Sequence, residues 1–227
     1  MGAQTSSDAE SIGALADPVR LALYRFVVAQ PAAVSRDQAA EGVGVPRHRA
    51  RFHLERLVSD GLLSTSHARL TGRTGPGAGR PATLYRRAAR ELSFSLPDRS
   101  YELAGRLLSD AVAESAQTGG PVLDAVERAF TAHGAAAGRA GADRDVDPLD
   151  ATAEVLAAQG YEPRRDGNEV HLHNCPFHAL AQAQTALICR ANLCLVGAVA
   201  DEVGGDRMRA RLEPRPDRCC VVVEHGR

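Results

Sequence analysis

Five cysteines, Cys175, Cys189, Cys194, Cys219 and Cys220, all fall in the last 53 residues of this 227-residue chain. Clustering of this kind points to a shared site, because thiolates are the usual ligands of structural zinc and of iron–sulfur clusters. Cys175 precedes Pro176 at an expected strand-to-helix corner, whereas Cys189 and Cys194 fall in an expected helical stretch over 177–203. Five residues along a helix turn two side chains about 140° apart, so Cys189 and Cys194 should not share a site. A straight helix would also set Cys175 and Cys189 about 20 Å apart. A bend, with Thr185 capping a new helix, is needed to bring them together. Cys219 and Cys220 are adjacent on an expected strand over 219–224, so alternation sends them to opposite faces and leaves room for one ligand. One corner, one helical and one strand cysteine make a three-thiolate site. The bland alternative is that all five are small buried core residues. The spacings are long and irregular, unlike the paired cysteines of zinc fingers, and do not choose between zinc and iron–sulfur.

A second chemistry resides in arginine. The net charge is −1, yet residues 45–90 hold ten arginines against two acids, Glu55 and Asp60. That asymmetry fits one part that meets a polyanion and another that does not. The chain has no lysine, so every fixed side-chain cation is a guanidinium suited to phosphate and guanine. Aromatic residues make up 4% of the chain, too few for a base-stacking platform, which directs attention to duplex rather than single-stranded nucleic acid.

The elements that would present these arginines follow from pattern. A first helix is expected over 8–29, with Asp17-Pro18 inside it as a cap and first turn. Ser35-Arg36-Asp37-Gln38 forms a capping box for a second, short helix. Pro46 opens a third, which runs to about Asp60. A hairpin follows, with strands over 62–70 and 83–87 around a glycine-rich tip. Helix, short helix, turn, longer helix and hairpin is the winged-helix order. Its third helix places Ala50, Leu54, Leu57 and Val58 toward the core and Arg47, His48, Arg49 and Arg51 outward, toward a major groove. Arg73 and Arg80 at the hairpin tip can follow phosphates or enter a minor groove.

Beyond residue 90, helices are expected over 101–116 and 121–133, then an Ala/Gly-rich linker over 134–142. A compact α/β segment follows, with a helix over 150–159, a hairpin turning at Asp166-Gly167, the helical stretch over 177–203 and strands over 209–213 and 219–224. The expected class is α+β: a winged helix-turn-helix domain over 1–90, a helical dimerisation region and linker over 91–146, and a small α/β sensor domain over 147–227. No apolar run is long enough to span a membrane, and the polar N-terminus is no export signal, so a cytoplasmic protein is expected.

Three stretches carry a family resemblance. The segments 14–20 (ALADPVR), 52–63 (FHLERLVSDGLL) and 79–86, with Gly79-Arg80-Pro81 and Leu84-Tyr85-Arg86, resemble the ArsR-type winged-helix regulators. Within that group the chain is most similar to the SufR-like branch, whose members carry an extra C-terminal domain. The resemblance implies a homodimer on a palindromic duplex operator, and a repressor of iron–sulfur assembly genes. Segments around Cys175, Cys189 and Cys219 resemble the family's cysteine segments, and Cys194 looks like an extra. The implication is a cluster, [4Fe–4S] ahead of [2Fe–2S], held by those three with a non-cysteine fourth ligand. Cys175-x-x-His178 makes His178 a candidate for that place, with His171 and His173 as others. Two other functions stay open. One is a winged-helix regulator that senses thiol redox state, zinc or a small molecule. The other is an enzyme with Cys175 as nucleophile and His178 or His173 as base, although no nucleophile motif, phosphate loop or carboxylate pair supports it and a non-enzymatic role is expected.

Overall fold

The structure, a computed structural model, describes residues 3–69, 81–92, 95–141 and 145–226, with side chains from residue 9 onward. It is a mixed α and β protein whose chain divides into two compact units near residue 95.

In the first unit the N-terminal helix is broken in two, α1 (Ala3–Ala14) and α2 (Pro18–Ala29). The expected single helix over 8–29 fails at Asp17. Its carboxylate accepts the Arg20 amide at 2.8 Å, and Pro18 behind it has no N–H to continue an earlier helix. A two-residue strand, β1 (Val34–Ser35), was not legible in the sequence; it pairs with the hairpin. Ser35 then caps α3 (Arg36–Val43) in the reciprocal box with Gln38. Gly44 closes that helix with φ +72°, a left-handed conformation that lets the chain turn directly into α4 (Arg47–Ser59). The hairpin is β2 (Leu63–Ala68) and β3 (Ala82–Arg87), and sheet order is β1-β3-β2. Tyr85 on the central strand pairs with Val34 on one side and Thr65 on the other. It is buried with Leu23, Val27, Leu54 and Leu57, and this cluster fixes α4 against the wing.

The second unit holds α5 (Tyr101–Thr118), α6 (Val122–Gly141), α7 (Pro148–Ala158), β4 (Pro163–Asp166), β5 (Glu169–Leu172), α8 (His178–Ala183), α9 (Thr185–Gly204), β6 (Met208–Leu212) and β7 (Val221–His225). The four strands form an antiparallel sheet in the order β4-β5-β7-β6. Residues 134–141, expected as linker, are the last two turns of α6. Composition misled here because Ala/Gly-rich sequence also suits helices that pack backbone to backbone. A Cβ on Gly134 would lie 2.1 Å from the Leu195 carbonyl oxygen of α9, and one on Gly138 would lie 2.7 Å from Glu202 Cβ. Helices α5 and α6 share one apolar core with α7, α9 and the sheet, through Leu107, Phe130, Leu156, Leu195 and Val221. Residues 101–141 therefore pack as one body with residues 147–226, where the sequence placed a boundary at 146.

On the outer face of the sheet, Arg211 of β6 reaches Glu224 at 2.9 Å on β7, Glu169 at 2.6 Å on β5, and Glu213. The Arg211 guanidinium holds the Glu213 carboxyl down to about 2. This cross-strand clamp fixes β6 beside β7, and so fixes the turn that joins them.

Candidate thiol site and nucleic-acid interface

That turn carries two of the cysteines. β7 begins at Val221, so Cys219 and Cys220 lie in the approach to the strand and escape its alternation. The Cys219 amide donates to Leu172 O at 2.8 Å, which places Cys219 at the end of β5. The Cys220 carbonyl accepts from the Glu213 amide at 2.7 Å.

The corner that carries Cys175 is held from three sides. Asn174 Nδ2 donates to the carbonyls of Asp98 (2.9 Å) and Gly160 (2.8 Å), and its Oδ1 accepts from Arg99. Arg99 also donates to the Cys175 carbonyl at 3.1 Å, and the Ser100 amide donates to Pro176 O at 3.0 Å. Phe177 anchors the corner in the core, edge-on to Phe130 of α6 at 5.9 Å between ring centres. The helix expected over 177–203 breaks at Gln184 (φ −140°, ψ 63°), so α9 starts afresh at Thr185 and Cys189 sits in its second turn.

Four of the five thiols meet as a result. Cys175 contacts Cys219, Cys219 contacts Cys220, and Cys220 contacts Cys189. The expectation that only one of Cys219 and Cys220 joins the group is corrected, since the strand starts two residues later than its apolar pattern indicates. Cys194 turns instead toward Thr131 and Glu127 of α6. His178 is exposed at the start of α8, and His173 is exposed as well. His171 is engaged with Glu169 at 3.3 Å. Among the described residues no group of three or more His, Cys, Asp or Glu side chains is arranged to hold a single metal ion.

A buried polar relay backs the thiols. Asn192 is 1% exposed in the otherwise apolar inner face of α9, and its Nδ2 donates to Cys219 Sγ at 3.2 Å. Its Oδ1 accepts from the Tyr161 hydroxyl at 2.5 Å. Neither residue was selected from the sequence. The signal was a lone amide among Ile188, Ala191, Leu195 and Val196, since a buried amide must find partners. Contact with Cys219 and burial push the Cys175 thiol far up. At Cys219 the hydrogen bond from Cys175 pulls down, but contact with Cys220 and burial outweigh it and leave the thiol at about 11. Burial raises Cys189 too, and raises Tyr161 well above the ordinary phenol range. Cys175, Cys189 and Cys219 are thus neutral thiols near pH 7, and a bound cation must displace their protons.

In the first unit, α4 buries Ala50, His53, Leu54 and Leu57 and exposes Arg47, His48, Arg49 and Arg51. Arg47 pairs with Asp37 at 3.0 Å and Arg51 with Glu55 at 2.7 Å, both in solvent, where such pairs are readily exchanged. His53 packs edge-on to Phe52, and burial lowers its basicity, so it sits neutral beneath the helix. A groove of about 490 Å³ runs along α3, α4 and the root of the wing, lined by Arg36, Arg51, His67 and Thr83 among others. Arg36 and His67 were missed because one was read only as part of a cap and the other only as a strand residue. Arg73 and Arg80 lie outside the described residues.

A family described as a helix-turn-helix domain matches residues 15–65, from the approach to α2 into β2. No curated protein matches the chain. Among solved structures, human N-acetylserotonin methyltransferase in complex with SAM is 17% identical over 67% of this chain and 53% of its own, with a TM-score of 0.25. The chain thus spans about half of that neighbour's length, and a likeness so loose carries no argument. No described helix is long and apolar enough to cross a membrane. The helix-turn-helix match, set on a basic exposed helix beside a wing, supports a DNA-binding transcriptional regulator.

Proposed function

We propose that this regulator is a cytoplasmic, homodimeric repressor of iron–sulfur assembly genes, acting on a palindromic duplex and controlled by a [4Fe–4S] cluster bound in its C-terminal unit. The observation that carries the reading is the meeting of Cys175, Cys189, Cys219 and Cys220, from three separate chain segments, with Cys219 buried and the other three partly buried. Core cysteines need not meet, and three or four meeting by chance would gain little from packing alone. The donor set is all sulfur, which suits iron–sulfur chemistry and zinc alike. Among the described residues no single focus for one zinc ion is formed, and the likeness of these cysteine segments to those of the SufR-like branch favours the cluster.

In this reading Cys175, Cys189 and Cys219 are ligands, and Cys220, in contact with two of them, takes the fourth place for which His178, His171 and His173 were candidates. When bound, a cluster supplies a redox-sensitive centre whose loss alters the local charge. The chain's own residues do the rest. Asn192 aims an N–H at the Cys219 sulfur, Tyr161 fixes Asn192, and Arg99 with Asn174 pins the Cys175 corner. Cys189 rides on α9, which is locked to α6 through Gly134, so rearrangement at the thiols is carried into the helical layer. On the DNA side, Arg47, His48, Arg49 and Arg51 approach the major groove, and Arg36 and His67 line a groove suited to a phosphate. Arg73 and Arg80, between β2 and β3 in the sequence, are assigned to the phosphate backbone or the minor groove.

Zinc or thiol-redox sensing at the same four cysteines is the second reading, and it shares every positioning argument above. The enzyme alternative draws no support, since a nucleophilic cysteine needs a lowered thiol and Cys175 is pushed up. Iron and acid-labile sulfide analysis of full-length protein purified without oxygen separates the readings. About four of each per chain, in a brown protein, is expected. Colourless protein that takes up no iron on anaerobic reconstitution would overturn the cluster reading, and stoichiometric zinc in its place would establish the second.

A further inference from the structure

Phe52 is 65% exposed on α4, amid a helix whose other outward residues are polar or charged. At 100° per residue, the buried Ala50, His53, Leu54 and Leu57 define the inner face, and His48, Phe52, Glu55 and Ser59 the outermost line. Arg47, Arg49, Arg51 and Arg56 flank that line, so the ring sits inside a strongly cationic border. Among the described residues its ring neighbour is His53, edge-on at 5.3 Å. A phenyl group so exposed on α4 gains little burial in the free protein.

The border matches a polyanion, and the major groove of duplex DNA offers one apolar feature to a side chain there, the C5-methyl group of thymine. Resting on the DNA-binding reading above, we propose that Phe52 is a specificity-determining residue that packs on a thymine methyl in each operator half-site. The arginines set affinity and register on the phosphates and on guanine, while Phe52 discriminates thymine from cytosine at one position. Glu55, one turn along the same line, is placed to accept from a cytosine amino group once it releases Arg51.

The test uses duplexes selected from a randomised pool by the full-length protein. Each thymine in the selected site is then replaced singly by deoxyuridine, which pairs identically and lacks only the methyl group. Wild-type protein should bind one substituted position in each half-site roughly four-fold more weakly, the effect of one buried methyl. Phe52→Ala should bind thymine and deoxyuridine duplexes equally, and Phe52→Leu should retain part of the discrimination. Because the side chain lies outside the core, both variants should fold as the parent does. Equal wild-type affinity for every thymine and deoxyuridine pair, or discrimination that persists in Phe52→Ala, would overturn the proposal. Failure of the wild-type protein to enrich any sequence would instead overturn the DNA-binding reading on which it rests.

Discussion

Serine at Cys175, Cys189 or Cys219 should each abolish stable cluster retention, whereas Cys194→Ser should keep the full iron content. A hydroxyl is a poor ligand for iron where a thiolate is needed, and the site has no spare cysteine once Cys220 is engaged. Cys220→Ser is the discriminating member of the series. If Cys220 is the fourth ligand, its loss should cut iron retention at least ten-fold; if a non-cysteine ligand serves, iron content should stay near that of the parent. Far-ultraviolet circular dichroism on the same samples separates ligand loss from unfolding. Cys219 is 2% exposed and already sits among polar partners, Asn192 above all, so an isosteric serine leaves a hydrogen-bonded group rather than a cavity.

The second large effect is expected at a glycine. Gly134→Ala should destabilise the C-terminal unit by about 3 kcal/mol, because its new Cβ meets a backbone carbonyl that cannot rotate away. Relief requires α6 and α9 to separate, which loosens the core around Phe130 and Leu195. Gly105→Ala in α5 is the matched control: nothing lies within 4 Å of its added Cβ, and the helix should gain about 1 kcal/mol. Urea unfolding of both variants reads the difference. Equal midpoints would mean that the close approach of α6 and α9 is not a constraint on this fold.

The contrast between these two glycines shows what pattern can and cannot reveal. Gly44 and the Ser35 box announced their turns because capping chemistry is local and each residue does its work within four positions. Gly134 and Gly138 work at long range, against a helix some sixty residues on, and a window of sequence cannot distinguish that from a flexible linker. The winged-helix order was readable for the local reason, since caps, prolines and apolar spacing mark each element in turn. Two features escaped: β1, two residues held by pairing with β3, and the break between α1 and α2 at Asp17.

The thiol site was half legible. Cysteine clustering in the chain pointed to Cys175, Cys189 and Cys219, and the need for a bend near Thr185 anticipated the break at Gln184. Cys220 was set aside by strand alternation, a rule that holds only once a strand has begun, and β7 begins one residue after it. The pairing of Tyr161 with Asn192 was invisible for another reason, although Asn192 alone stands out as an amide on an apolar helix face. Their hydrogen bond joins residues 31 apart, and nothing in either neighbourhood names the other. Phe52 was passed over because attention to charge along α4 hides an apolar residue whose significance comes from being on the wrong face.

In the proposed function the thiol site governs DNA binding. The most direct measurement is the dissociation constant for the selected duplex, taken on one anaerobic preparation before and after removal of its metal by a chelator, at fixed salt. Coupling predicts affinities at least five-fold apart, with both forms folded. Identical affinities for the loaded and stripped protein would rule out that coupling, leaving a DNA-binding unit and a cysteine site that share a chain without sharing a function.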